Sequence, residues 1–389
     1  MRLTALLLAL GLPLLIGCGS KEDRAIAGIE KVGGWVKTDD SRPGEPVVSV
    51  CLSSTHITDA DLAPLEDLPE VETIDLHNAA ITGAGLAHLA GLTQLRVLDV
   101  SNTAVTADGL VYLAGLTRMQ RLDLHATQLT DPGMEHLAAM TELQRLDLGR
   151  THVSSAGLAH LRGLGRLEVL GLEKTDVGDA GLVHMRGMAE LRMLGLSHTA
   201  VSDAGLANLQ GLTRLRILLL NDTKVTGPGL AHLGRMHELE TLQLMGSLLG
   251  DRGLQHIKAL DHLQGLSLGR TRVTDVGLAQ VGGLSRLETL GLQDTRVTDK
   301  GMASLKPLAH LHALDLNRTK ITDAGLTQLK ALPELHMLRL QATSLTDAGL
   351  IEFKAFAGLS WVDLRKQRKV TDAGVRQLRL ALPALSVMR

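Results

Sequence analysis

The stretch LTDPGMEHLAAM, residues 129–140, sets Asp131, Glu135 and His136 close together. Carboxylates and an imidazole at this spacing could move a proton, or hold a metal ion if their donor atoms converge at bonds of ~2.0–2.2 Å. Either role requires one site. Asp131 instead recurs in phase as Asp59, Asp179, Asp203, Asp251, Asp275, Asp299, Asp323, Asp347 and Asp372. His136 recurs as His88, His160, His184, His232 and His256, with Tyr112, Asn208, Gln280, Ser304 and Gln328 in the same slot elsewhere. A catalytic pair is needed once, so a column of this kind is scaffolding, and these imidazoles are expected on solvated helix surface. Cys51 near His77 outlines a thiol–imidazole pair, but nothing supplies an orienting third group or an oxyanion hole. A free thiol at the edge of the fold is the expectation. The glycines recur at one place in the pattern and form no phosphate-cradling loop. The residues predict no enzyme, no cofactor and no metal.

The elements that carry these columns follow a period of 24 residues. One unit reads LTQLRVLDVSNTAVTADGLVYLAG, residues 92–115. Earlier units begin at Gly44 and Leu68, and later ones run to a distorted unit at Phe356. There are about fourteen in all, with a half unit, LPALSVMR, closing the chain. Leu98 and Val100 alternate with Val97 and Asp99, which predicts a short strand with one buried face. A threonine column (Thr55, Thr103, Thr127, Thr151, Thr175, Thr199, Thr223, Thr271, Thr295, Thr319, Thr343) is expected to bond turn backbone through its hydroxyls. Ala79 and Ser247 depart from it. Thr/Ser-Asp-x-Gly-Leu then starts a helix of two turns. Pro132 and Pro228 fall where a first helical residue belongs, which makes Asp131 the expected N-cap. A single unit is too small to offset the entropy of ordering it, whereas stacked units share one core.

The unit resembles the leucine-rich repeat, as in LRVLDVSNTAV at residues 95–105, with Thr103 where that family most often has Asn or Cys. Its tail, VTADGLVYLAGL, is similar to segments of ribonuclease-inhibitor-like and F-box-associated repeats, and closer still to exported bacterial leucine-rich repeat proteins. The resemblance covers residues 44–388. It implies an α/β leucine-rich repeat solenoid, curved, with a concave parallel sheet, short convex helices and, most often, protein partners.

The ends read differently. MRLTALLLALGLPLLIGCGS has one basic residue, Arg2, and an apolar run at residues 3–16, too short for a comfortable bilayer span. Leu15-Ile16-Gly17-Cys18 resembles the lipobox of bacterial lipoproteins, which implies cleavage before Cys18 and a diacylglycerol thioether on its sulfur. Gly19 leaves the choice between inner and outer membrane open. The expected organisation is a signal peptide at 1–17, a lipidated Cys18 with tether and N-terminal cap at 18–43, and the solenoid with its C-terminal cap at 44–389. The chain is then exported and lipid-anchored to a bacterial cell membrane. The sequence DRAIAGIEKV (residues 23–32) fits a sealing helix, followed by Gly33-Gly34 and Trp35-Val36, while Phe353, Phe356 and Trp361 gather at the far end. Capping is the expected role of these aromatics.

A net charge of −2 and only two Trp, one Tyr and two Phe argue against nucleic acid as a partner. The inner strand positions carry Asp75, Asp99, Asp123 and Asp147, with Arg121 and Arg145 expected to answer them in part. Like charges on adjacent strands are unfavourable, so this ladder either recruits a basic partner or tolerates solvent screening. Farther along stand Val169, Met193, Ile217, Leu219 and Met245, with Leu248 on the neighbouring turn. They form either an apolar contact patch for a protein partner or filler in a drifting repeat. Residues 39–75 are rich in acids, and Arg365, Lys366, Arg368, Lys369, Arg376, Arg379 and Arg389 make the far end basic. Two rival readings remain: a substrate-recognition subunit of a ubiquitin ligase, or envelope glycan binding. The first needs a helical module ahead of the repeats, where only a short stretch lies between Cys18 and the first unit. The second usually needs aromatic platforms, and Trp361 is the one expected on the inner face.

Overall fold

A computed structural model describes residues 20–389. Cys18 and the residues before it lie outside the described part. Sixteen short strands form one sheet in chain order. The first eight are β1 (Trp35–Thr38), β2 (Val47–Cys51), β3 (Thr73–Asp75), β4 (Val97–Asp99), β5 (Arg121–Asp123), β6 (Arg145–Asp147), β7 (Val169–Gly171) and β8 (Met193–Gly195). The rest are β9 (Ile217–Leu219), β10 (Thr241–Gln243), β11 (Gly265–Ser267), β12 (Thr289–Gly291), β13 (Ala313–Asp315), β14 (Met337–Arg339), β15 (Trp361–Asp363) and β16 (Ser386–Met388). From β2 onward every pairing is parallel, because each crossover carries a helical segment, and equal periods keep the register constant. Leu98, for example, pairs with Ile74 on one side and Leu122 on the other. β1 joins β2 antiparallel because residues 39–46 only turn the chain around.

The middle residue of each repeat strand points inward, and Ile74, Leu98, Leu122 and Leu146 are at most 1% exposed. Strands stack ~4.8 Å apart, whereas a helix with its side chains needs ~10 Å. The sheet is therefore the shorter, inner arc. After each strand the chain turns through a left-handed residue such as Asn102, Ala126 or Arg318, with φ of 56°, 54° and 53°. The next residue, the threonine, donates its hydroxyl to the carbonyl three residues back, as Thr103 does to Val100 O at 2.6 Å. Ser247 makes the same bond to Leu244 O at 2.7 Å, so that departure preserves the turn. In the distorted last unit Gln367 takes the slot, and its amide donates to Leu340 O and to Thr343 Oγ1.

The N-cap expectation is corrected here. Thr130, with an extended backbone, is the N-cap, and Asp131 is the first residue of the helical turn Asp131–Leu137. Its carboxylate reaches forward into the next coil, accepting from Ser154 N at 2.7 Å and Ser154 Oγ at 2.6 Å. Asp179 does the same with Ser202, Asp251 with Thr274, Asp275 with Thr298 and Asp299 with Thr322. The recurrent Asp is thus a staple between coils. It also explains the glycine of the motif: a Cβ on Gly157 would lie 2.5 Å from Asp131 Oδ1, so the previous coil's staple needs that space. Within the repeats the helical segments are short, of 3-10 type from Asp59–Asp67 through Gly157–Leu161, with single α-turns such as Asp179–Leu182 appearing later.

At the front, helix Lys21–Lys31 starts with a capping box between Ser20 and Asp23 and buries Ala25 and Ile29 against the first coil. Trp35 does not seal the core; it is 54% exposed and pairs with Cys51 on the inner face of the sheet. At the back Phe353 and Phe356 are buried with ring centres 5.9 Å apart. Helix Asp372–Ala381 closes that end with Val375 and Leu378. Trp361 stays half-buried on β15, beneath the Arg339 guanidinium 5.9 Å from its ring centre.

Candidate functional site: the inner face

Because strand residues two apart share a face, constant register turns the sequence into two outward columns. One runs Trp35, Cys51, Asp75, Asp99, Asp123, Asp147, Gly171, Gly195, Leu219, and the other includes Arg121, Arg145, Val169, Met193 and Ile217. The four aspartates therefore stand side by side on β3–β6. Each accepts a backbone N–H two residues on: His77 N to Asp75 at 3.0 Å, Ser101 N to Asp99 at 2.9 Å, His125 N to Asp123 at 3.0 Å and Gly149 N to Asp147 at 2.8 Å. That bond holds the strand exit, so the ladder has a structural role whatever it binds. Arg121 and Arg145 do not pair with it. They neighbour one another across β5 and β6, while the His125 ring faces the ladder, with Nδ1 3.6 Å from Asp147 Oδ1.

Glu173, absent from the expected ladder, extends it. Its side chain lies over Gly195, as that of Asp147 lies over Gly171; a Cβ on either glycine would collide with the carboxylate. The visible signal was glycine within a strand, which marks close approach of a neighbour. Burial pushes the Asp123 carboxyl above its usual range, and the charges of Asp99 and Asp147 add to it. Glu173 is raised too, by burial and then by Asp147. Since the folded state holds these protons more tightly, the destabilisation is absent below about pH 4 and grows as pH rises through the raised values. Asp123→Asn keeps the acceptor for His125 N and is expected to stabilise the chain by about 0.5–1 kcal/mol at pH 7. In urea melts that gain should vanish toward pH 4; an equal gain at both pH values would contradict the like-charge account.

Val169, Met193 and Ile217 are register neighbours on β7–β9, with Leu219 beside them; all four are half-buried, over a core formed by Leu170, Leu194 and Leu218. Met245 lies just past β10, where its backbone N–H donates to Asn221 Oδ1 at 2.9 Å. Leu248 does not join this cluster. It stands beyond the left-handed Gly246, 43% exposed, in the column of Lys224 and Arg272.

Past the apolar sector the inner face opens into a feature that the residue types did not announce. On β11–β13 the inner columns hold Gly265, Ser267, Thr289, Gly291, Ala313 and Asp315, leaving a depression of about 320 Å³. Thr241 and Gln243 bound it on one side, Met337 and Arg339 on the other. Arg339 faces Asp315 at 3.4 Å.

Cys51 and His77 do not form a couple. The thiol contacts Ser53 Oγ at 3.1 Å and Asp75 Oδ2 at 3.6 Å, while His77 Nδ1 meets Ser101 Oγ at 2.9 Å. Among the described residues no three carboxylate, imidazole or thiol groups stand together as metal ligands would. Along the recurrent column, His136 faces Glu135 at 3.7 Å and His184 accepts from Arg162 Nε at 2.8 Å. Burial, then the Arg162 charge, lowers the His184 pKa. No helix among the described residues is long and apolar enough to cross a membrane.

A leucine-rich repeat family model matches residues 91–114 and 308–329. No curated protein matches the sequence. Among solved structures, an internalin from Listeria monocytogenes superposes with a TM-score of 0.68 at 20% identity, covering 90% of this chain and 94% of its own. A leucine-rich repeat protein of Leptospira interrogans gives 0.65 at 18%, over 84% and 80%. A plant peptide hormone receptor, solved in complex with RGF2, gives 0.54 at 16%, over 84% and 60%. These identities speak for the fold, and with the continuous sheet and its constant period they make this chain a leucine-rich repeat solenoid.

Proposed function

We propose that this chain is a non-catalytic protein of a bacterial cell envelope, exported and lipid-anchored through Cys18, whose inner face binds a protein partner. The observation that carries the reading is the inner face itself. A row of carboxylates without Lys or Arg partners runs directly into Val169, Met193, Ile217 and Leu219, so a charged and an apolar sector lie on one rigid sheet. Contact surfaces combine such sectors, with charge steering the encounter and desolvated apolar groups supplying affinity. A plant receptor of the same fold is seen in complex with RGF2, which supports this use of the architecture. The basic far end stays a solvated cap in this reading.

Proximity labelling on anchored chains tests it. Ile217→Asp with Leu219→Asp places two charges in the apolar sector, and one desolvated, unpaired charge costs an interface several kcal/mol. The expected result is at least a hundredfold loss of partner labelling while the melting temperature is kept. Recovery of every partner by the double variant would remove the patch from the interface. Cys18→Ala should abolish incorporation of labelled fatty acid and release the chain from membranes; unchanged membrane recovery would end the anchoring proposal.

A further inference from the structure

Two glutamine side chains line the depression over β11–β13. Gln243 Oε1 accepts from Asn221 Nδ2 at 2.6 Å, which leaves Gln243 Nε2 free to donate. Gln293 Nε2 donates to Met245 Sδ at 3.2 Å, and Gln293 Oε1 is buried without a donor. A buried amide oxygen left in that state is unfavourable unless something brings it a hydrogen. Both glutamines line the depression, one donor and one acceptor, two coils apart. Gln293 leans back across Gly269 to reach Met245, which lies in the same coil as Gln243, so both amides gather at the depression although their backbones are two coils apart.

The floor sets the remaining chemistry. Gly265 and Gly291 expose the edges of Leu266, Leu290 and Leu314, and the depression is of small-ligand size. Its charges are already engaged, Asp315 by Arg339 and Arg339 by the ring of Trp361. Polar complementarity thus favours an occupant with an amide and no charge. The site is also continuous with the apolar sector, since Thr241 and Gln243 of β10 pair directly with Ile217 and Leu219 of β9.

We infer that this depression seats an extended, uncharged segment of a partner protein. One main-chain carbonyl of that segment accepts from Gln243 Nε2, the N–H of the same amide donates to Gln293 Oε1, and an apolar side chain fills the space above Gly265 and Gly291. The inference rests on the inner face being the binding face.

The test uses the whole chain and the capped tripeptide acetyl-alanyl-leucyl-alanine amide, followed by side-chain amide NMR. Saturable shifts of the Gln243 and Gln293 amides are expected, at millimolar affinity for so small a probe. Gly291→Val fills the floor and Gln293→Leu removes the acceptor, and each should weaken binding at least tenfold. Gln293→Leu changes no backbone, so it carries the test if Gly291→Val fails to fold. Absent shifts at both amides, or unchanged affinity in a folded Gln293→Leu chain, would overturn the site. The two proposals fail separately. A partner lost with Ile217→Asp and Leu219→Asp but indifferent to Gln293→Leu overturns this site and leaves the binding face standing. Tripeptide binding in a chain whose partners ignore the double aspartate variant does the reverse.

Discussion

Leu218→Ala is expected to lower the stability of the chain by about 3–5 kcal/mol, the range for deleting a buried leucine that its surroundings cannot collapse around. Leu218 is fully buried at the middle of β9, flanked in register by Leu194 and Leu242, so the cavity opens inside three coils at once. In a stacked architecture that loss falls on nearest-neighbour terms. Chemical denaturation should therefore show more than a lower midpoint: with the coupling weakened at one place, the single transition should broaden or split into two. A parallel shift below about 1 kcal/mol with one sharp transition would mean that the coils relax freely, against the shared-core account.

The second large effect is expected from Asp203→Ala. Asp203 accepts from Thr226 N at 3.1 Å, Gly227 N at 3.0 Å, Gly229 N at 2.9 Å and the Thr226 hydroxyl. Alanine would leave these donors without their acceptor where two coils meet. Hydrogen bonds to a charged group contribute ~1.5–3 kcal/mol each, and water satisfies part of what is lost, so a net cost of about 3 kcal/mol is expected. Burial raises the Asp203 pKa, but the bonds from Thr226, Gly227 and Gly229 outweigh it and hold the carboxyl below its usual range. A folded-state value below the unfolded one gives stability that is complete above the ordinary carboxylate pKa near 4 and is lost as pH falls through the lowered value. The cost of Asp203→Ala measured in urea should therefore shrink below pH 4. A cost independent of pH from 7 to 3 would show that the carboxylate charge plays no part.

Much of the architecture was legible because the repeat multiplies each weak local signal. Leu98 and Val100 alone allow a strand; the same alternation at a fixed period compels a register, and the register makes Asp75, Asp99, Asp123 and Asp147 neighbours. The threonine column was legible for the same reason, since its hydroxyl bonds stay within three residues. Asp131 was misread because Thr-Asp-x-Gly fits either residue as a cap, and its real partner, Ser154, lies 23 residues away in the next coil. Arg121 and Arg145 were expected beside the ladder because they share its face. The ladder oxygens already had backbone donors, which a charge count does not reveal. Trp35 was assigned to sealing from its place near the chain's start, whereas strand alternation turns it outward on β1. The depression escaped notice because glycine and serine announce nothing by their own chemistry; only the two flanking amides give that space a meaning.

The forward reach of the aspartate staples gives the molecule a direction in time as well as in space. A nascent turn emerging from the ribosome holds its carboxylate ready, but the amide and hydroxyl that satisfy it belong to the turn still being synthesised. Ordered structure should therefore trail the growing end by one period throughout synthesis.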